Sequence, residues 1–200
     1  MKRFKIFAVL FVLFCGSFLY AKDFDWSDCW CNYGGGIEKG DVIVNLDAGF
    51  YYRDFTFAAI HSNFWYIPPM MAEVQFAQPV WKLPFTFGGY AGVRGFGYKY
   101  IDHYDDHGNA VYEKTAYWST FFGAEAAYHV MLPPEGLDVY AVYRIGGNIP
   151  FVRPKSYVLG FADYFHTGAG IGANWFFGKV FGVNLEFGYP FSKGGVTFKF

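Results

Sequence analysis

The sequence is poor in charge and in long apolar runs. Asp, Glu, Lys and Arg supply only 16% of its 200 residues, against about 25% in ordinary soluble domains. Beyond the first 21 residues, no apolar run is long enough for a transmembrane helix. A formal net charge of -1 argues against a protein that binds nucleic acid through its phosphates. The 54% of apolar residues exclude an intrinsically disordered chain.

Glycine and aromatic residues are instead abundant. The chain has 25 Gly, 26 Phe and 17 Tyr, and 24% of its residues are aromatic. Glycine and aromatics that rise together while charge falls indicate a sheet protein facing lipid. Without a spanning helix, a closed β-barrel is the only other structure that satisfies every backbone polar group in a bilayer.

The N-terminus has the pattern of a cleavable secretory signal peptide. A basic start at Lys2, Arg3 and Lys5 precedes the apolar run Ile6–Phe14, and small residues lead to Ala21. We therefore divide the chain into a signal peptide (1–21), a periplasmic lead-in (22–40) and a barrel (41–200). A lipoprotein processed at Cys15 is the alternative, but Phe14 fits it poorly.

From Asp41 onward, apolar and polar residues alternate in segments broken by Pro, Gly and charge. This period of two predicts strands with one apolar and one polar face. An all-β fold follows, an eight-stranded antiparallel up-and-down transmembrane barrel. The predicted strands are Asp41–Tyr52, Met70–Val80, Pro84–Tyr100, Ala116–Met131, Leu137–Gly147, Asp163–Phe176, Val180–Tyr189 and Phe191–Phe200.

The connections between these strands alternate in length. We expect short turns on one rim and long loops on the other, as outer-membrane barrels show. The predicted long loops cover Asp54–Pro69, Ile101–Thr115 and Asn148–Ala162. The last connection on that side, near Pro190–Lys193, is short and fits less well.

The composition of the polar face decides which face meets lipid. A soluble lipocalin-like barrel would present many Lys and Glu to water, whereas this face has mostly Gly, Ser, Asn and Thr. Small residues with sparse charge suit the narrow interior of an eight-stranded barrel. The predicted interior charge network is Arg94, Glu125, Arg144, His166 and Glu186. Antiparallel pairing places Glu125 near Arg144, and we expect this salt bridge to plug the barrel. The alternative is a proton- or ligand-responsive gate, in which His166 lies at the same level and titrates.

Aromatic residues gather near the predicted strand ends, where girdles at the two membrane interfaces are expected. The predicted girdle residues are Phe85, Tyr98, Trp118, Tyr128, Trp175 and Tyr189. Cys29 and Cys31 remain after signal cleavage. A disulfide between them is possible in an exported chain, but it is strained across one intervening residue, so free thiols or bonding to a partner are equally open.

The ending Gly195–Phe200 resembles the C-terminal β-signal of Gram-negative outer-membrane proteins, with alternating Val196, Phe198 and terminal Phe200. The barrel region is similar to small eight-stranded barrels of the OmpX, OmpA and OmpW type. This resemblance implies insertion by the barrel assembly machinery into the outer membrane of a diderm bacterium. It further implies roles in adhesion, surface defence or passage of small hydrophobic molecules, and it does not choose among them.

Two short motifs suggest chemistry. The segment His166–Gly170 faintly resembles part of the lipid A 3-O-deacylase barrels, but Gly168 stands where the nucleophilic Ser is required. The segment Asp102–His107 contains two His and three Asp, which are metal-ligand types. A solvated loop tip is the better explanation, because such clusters without fixed geometry rarely hold metal, so we predict no metal, no cofactor and no catalytic residue.

The leading functional hypothesis is a monomeric, non-enzymatic surface-contact or envelope-structural protein whose long aromatic loops contact an unidentified extracellular ligand. The main alternative is a porin-like, OmpW-like narrow channel for small hydrophobic or polar solutes, since glycines on the polar face leave space. A lipid hydrolase is the remote third hypothesis. The expected partners are the outer-membrane bilayer and the assembly machinery, with no nucleic acid.

Overall fold

A computed structural model describes residues 37–52, 54, 64–80, 83–132, 136–153, 160–161 and 164–200. These residues form eight strands that pair in sequence order around a closed ring. The strands are β1 (Val42–Tyr51), β2 (Phe64–Ala77), β3 (Phe85–Tyr104), β4 (Ala110–Leu132), β5 (Leu137–Val152), β6 (Phe165–Phe176), β7 (Phe181–Tyr189) and β8 (Phe191–Lys199). The predicted all-β, up-and-down, antiparallel barrel is confirmed.

The ring closes where the first strand meets the last. β1 and β8 pair antiparallel from Ile43↔Lys199 to Tyr51↔Phe191. Closure removes both free sheet edges, which would otherwise leave unpaired backbone groups. Residues at the N-terminal side of β1 also enter this end of the barrel, because Ile37 is buried together with Ile43, Ala77 and Phe176.

The two faces of the barrel have opposite polarity. Outward-facing Ile171 and Leu185 are 66% and 53% exposed, whereas Glu125 and Glu186 on the inner face are 5% and 0% exposed. Charged groups are buried only where partners surround them, and an apolar outer surface is stable only in an apolar medium. The barrel is therefore a transmembrane one, with hydrocarbon outside and a polar interior.

The largest differences from the predicted strand boundaries lengthen β2, β3, β4 and β5, whereas β1, β6, β7 and β8 are one or two residues shorter than predicted at one or both ends. β2 begins at Phe64, inside a segment predicted as loop, and its register shifts between Ile67 and Met70, where two prolines cannot donate backbone hydrogen bonds. β3 and β4 run through most of Ile101–Thr115, which was predicted to be a loop. β5 likewise continues to Val152.

No helix among the described residues combines the length and the apolar character needed to cross a membrane.

Candidate functional site

The centre of the barrel is organised around one buried arginine. Arg144 on β5 donates from Nε to Glu125 Oε2 at 2.7 Å and from Nη2 to Glu73 Oε1 at 2.9 Å. It also donates to both carboxylate oxygens of Glu186, with Nη2 to Oε2 at 2.8 Å. Four guanidinium hydrogens thereby bind three carboxylates that come from three different strands. Such charge-assisted hydrogen bonds are stronger than neutral ones.

A buried lysine forms the second half of this network. Lys193 on β8 donates from Nζ to Asp47 Oδ2 at 2.6 Å and to Glu73 Oε2 at 2.5 Å. Its Nζ also lies 3.6 Å from Glu186 Oε2. Glu73 and Glu186 therefore join the lysine to the arginine. We call this set the central network: Asp47, Glu73, Glu125, Arg144, Glu186 and Lys193.

Neutral side chains donate further hydrogen bonds to these carboxylates. Asn45 donates to Glu73 at 3.0 Å, and Tyr140 donates to Glu186 at 3.1 Å. Gln75 donates to Glu125 at 2.8 Å. The central network still holds four carboxylates and two cations, so its side chains carry more acid than base.

A histidine layer lies beside the central network, toward the rim with the short turns. His129 Nδ1 faces Asp138 Oδ2 at 2.9 Å, and its Nε2 faces Thr86 Oγ1 at 2.9 Å. The order carboxylate, imidazole, hydroxyl is that of a hydrolytic triad. The Thr86 hydroxyl, however, donates to Gln75 Oε1 at 2.8 Å. Asp138, His129 and Thr86 are all at most 1% exposed, so this triad-like chain is sealed from any substrate.

His166 and Arg94 lie apart from the central network. His166 Nε2 faces Tyr90 Oη at 2.6 Å, within a layer of aromatic rings. Arg94 donates from Nη1 to Asp54 Oδ1 at 2.8 Å and from Nε to Ser119 at 3.0 Å. Of the five predicted interior residues, the structure thus brings together Glu125, Arg144 and Glu186. It separates the other two because each meets partners at its own level of the barrel.

Three members of the central network were missing from the predicted set. Asp47 and Glu73 stand on the polar faces of their strands, so the alternation that located Glu125 could also have located them. Lys193 falls both in the predicted last strand and in the short connection near Pro190–Lys193, and the structure places it in β8 with its side chain in the interior. Asp54, assigned to a loop, is 2% exposed beside Arg94.

The space beside the interior glycines is filled. A Cβ at Gly172 would lie 2.4 Å from the Tyr140 ring, and one at Gly123 would lie 2.4 Å from the Tyr90 hydroxyl. Gly123 and Gly172 therefore accommodate aromatic rings from neighbouring strands, and the polar face is not an open bore at these two positions. Tyr90, Phe121 and Phe191 pack together with Tyr51 and Met71 as one apolar layer.

Beyond the barrel wall, β3 and β4 continue as a two-stranded ribbon. We define this ribbon as Lys99–Tyr104 and Ala110–Lys114 with the turn between them; it pairs from Lys99↔Lys114 to Tyr104↔Ala110. Pairing of β2 with β3 ends at Tyr98, and pairing of β5 with β4 ends at Trp118. Within the described part of the chain, both edges of the ribbon are open.

The tip of the ribbon explains the cluster of His and Asp in Asp102–His107. Asp105 accepts hydrogen bonds from the backbone N–H of His107 and Asn109 at 2.9 and 2.8 Å. These bonds, those from Asn109 first, lower the pKa of the Asp105 carboxyl. Gly108 supplies the left-handed residue of the turn with φ 78°. Among the described residues, no group of three or more His, Cys, Asp or Glu is arranged to hold a metal ion.

The predicted girdle residues occupy two levels of the outer face. The rings of Phe85 and Tyr128 lie 5.4 Å apart and tilted by 59° near the rim with the short turns, where Trp175 is also exposed. Near the opposite rim, Trp118 lies 6.1 Å from Trp65, and Tyr189 lies 6.4 Å from Tyr52. Tyr98 is the exception: it shares the inner face of β3 with buried Phe96 and Arg94, because alternate residues of a strand point to the same side, so the membrane-facing position predicted for it is wrong.

The predicted assembly signal lies on β8 and at the chain end. Val196 and Phe198 pair with β1 and β7, and Phe200 is 69% exposed. The predicted signal peptide, the lipoprotein alternative at Cys15 and the thiols of Cys29 and Cys31 lie outside the described residues.

Comparison with known proteins gives little further information. No family model matches the chain, and no curated protein matches it. One solved structure, from work on the de novo design of transmembrane β-barrels, aligns with 82% of this chain and 98% of its own. Its identity is 14% and its TM-score is 0.45. So distant a likeness carries no argument, and the membrane assignment depends on the polarity of the two faces.

Proposed function

We propose that the protein is a non-enzymatic outer-membrane barrel that contacts other surfaces through its ribbon. The observation that carries this proposal is a sheet that leaves the barrel wall with both described edges open. A barrel whose only role was to anchor a chain in the membrane, or to close its own lumen, would need no such extension. Insertion by the barrel assembly machinery, in the outer membrane of a diderm bacterium, is part of the proposal and is supported by the terminal Phe200.

The ribbon offers both backbone and side-chain contacts. Its six residues on β3, five of them paired with β4, reach about 20 Å along the strand. Ile101, Tyr104 and Tyr112 are exposed on it, among charged residues that keep it soluble. An extended peptide can add to an open strand edge through main-chain hydrogen bonds, with side chains setting specificity. We therefore propose an extended segment of an extracellular protein as the partner.

A closed lumen supports this role over a channel. The interior is occupied in successive layers by Ile37 with Phe176, by His129 with Asp138, by the central network and by the rings around Phe121. A conducting path would have to break charge pairs that are 0 to 5% exposed. The sealed position of Thr86 and the absence of a hydroxyl at Gly168 support a non-enzymatic role.

The experiment replaces residues 101–112 by an Asn-Gly turn and measures adhesion of cells that carry the protein. We expect the variant to assemble normally and to lose most of the adhesion conferred by the wild type, because the Asn-Gly turn still closes a hairpin. A matched control replaces Gly178 and Lys179, in the turn at the opposite rim, by the same two residues. Full adhesion by the ribbon-less barrel would refute the proposal.

Channel activity is tested separately in planar bilayers. We expect negligible conductance from the wild type and a new conductance from the double variant Glu125→Gln with Arg144→Gln, because removing this pair opens the central network. Size-dependent solute uptake by liposomes that contain the wild type would favour the channel hypothesis instead.

A further inference from the structure

Four buried side chains on one wall of the barrel each keep an oxygen without a hydrogen-bond partner among the described residues. They are Asn45 Oδ1, Asp47 Oδ1, Asn184 Oδ1 and Thr197 Oγ1. All four residues are at most 5% exposed. Buried polar atoms in folded proteins are nearly always paired, so four unpaired ones on a single wall need a physical account.

The register places these four oxygens around one glycine. Thr197 on β8 pairs with Asn45 on β1. Gly195, two residues earlier on the same face of β8, lies between Asp47 on β1 and Asn184 on β7. Asp47 Oδ1 lies 2.6 Å from the position that a Cβ of Gly195 would take. Gly195 contributes no side chain, and the Asp47 carboxylate takes the space beside it. The four residues are adjacent to this position on one wall, which we call the Gly195 patch.

The hydrogen-bond network fixes the orientation of both amides. Asn45 Nδ2 donates to the Glu73 carboxylate at 3.0 Å. Asn184 Nδ2 donates to Asn174 Oδ1 at 2.7 Å, and Asn174 Nδ2 in turn donates to the Asp138 carboxylate at 2.9 Å. A carboxylate only accepts, so neither amide can be turned over without placing two acceptors face to face. The free atoms of both amides are therefore oxygens, which carry no hydrogen.

Asp47 joins the patch to the charged interior: its Oδ2 accepts a hydrogen bond from Lys193 Nζ at 2.6 Å, and its Oδ1 lies beside Gly195. Asp47 belongs both to the patch and to the central network, which has four carboxylates and two cations. The four free atoms of the patch are all oxygens, and only one of them belongs to a carboxylate. Hard cations prefer oxygen ligands, and buried carbonyl-type oxygens coordinate Na⁺ in membrane proteins. A divalent or transition metal would call for more carboxylate, imidazole or thiolate ligands.

We propose that the Gly195 patch binds one small monovalent cation of the Na⁺ class inside the barrel. The cation satisfies the free oxygens of Asn45, Asp47, Asn184 and Thr197, beside a network that has more acidic than basic side chains. This proposal is independent of the surface-contact role.

The test measures the unfolding temperature of the refolded barrel by its heat-modifiable gel mobility. Sodium chloride is compared with N-methylglucamine chloride at equal ionic strength, so that screening is the same in both. We expect a higher unfolding temperature in sodium, rising by about 3–6 °C for each ten-fold increase in concentration above the dissociation constant. Equal unfolding temperatures in the two salts would overturn the proposal and would mean that protons or water serve the patch.

Thr197→Val identifies the site. Thr197 Oγ1 has no partner among the described residues, so a purely structural role predicts unchanged or higher stability in the variant. A ligand role predicts that the sodium-dependent shift is lost. The matched control is Thr167→Val on the exposed outer face, which should keep the full shift. A sodium shift that survives in Thr197→Val would overturn the assignment. The sodium NMR linewidth of the wild type, which broadens only on binding, tests the same site if the variant does not fold.

Discussion

β3 and β4 form one hairpin that passes through two environments. In the barrel wall both strands have neighbours on each side, and Glu125 of β4 stands opposite Arg144 of β5. In the ribbon, Lys99 stands opposite Lys114, and both are exposed. Like charges directly opposite are tolerated where water screens them, whereas a buried charge needs an opposite partner. The position of each charged residue is therefore strongly constrained by electrostatics in the wall and only weakly constrained in the ribbon.

Removing Arg144 tests this difference most severely. Arg144→Met keeps an unbranched side chain as far as the position of Nε, but it removes the guanidinium and leaves Glu73, Glu125 and Glu186 without their shared cation. We expect the free energy of unfolding to fall by about 3–5 kcal/mol, because an uncompensated buried charge is costly. Urea unfolding, followed by the fraction of folded barrel on a gel, measures it.

The control for that prediction is Arg153→Met, which removes an exposed arginine next to the end of β5. It should change the free energy of unfolding by no more than about 0.5 kcal/mol. Similar losses in the two variants would mean that burial of the central network is not what makes its charges important.

Overpacking of the lumen is the second test, with a smaller expected effect. Gly172→Ala places a Cβ 2.4 Å from the Tyr140 ring and 2.9 Å from a backbone oxygen of β7. We expect a loss of about 1–3 kcal/mol in the same unfolding assay, since the ring and the strand must both move. Gly178→Ala is the matched control, because a Cβ there meets nothing within 4 Å. A neutral Gly172→Ala would show that the lumen has room to spare.

The contrast between wall and ribbon also explains what the sequence predicts. Alternation is a local property, so it gave the eight strands and the inward orientation of Glu125 and Glu186, and the fold class is confirmed. The residue at which a strand leaves the barrel wall depends on where its neighbouring strands end, so local alternation does not predict it. Apolar and polar residues alternate poorly in Ile101–Thr115 because both faces of the ribbon contact water, so the sequence predicts a loop there.

Partner choice inside the barrel is equally non-local. Pairing of Glu125 with Arg144 follows from adjacent strands, but Lys193 meets Asp47 and Glu73, which lie 146 and 120 residues away. Only ring closure brings these residues together. The separation of Arg94 and His166 from the central network has the same origin, because the stagger between strands sets the level of each side chain.

The smallest expected effect lies at the tip of the ribbon. Asp105→Ala removes the acceptor of the His107 and Asn109 amides, so we expect faster hydrogen exchange at those two amides and no change in barrel unfolding. Acid should act in the same direction. These hydrogen bonds lower the pKa of Asp105, so their stabilising contribution is present above the ordinary aspartate range and is lost as the pH falls through the lowered pKa. If Asp105→Ala instead lowered barrel stability as Gly172→Ala does, the ribbon and the wall would be one cooperative unit, and the comparison between them would fail.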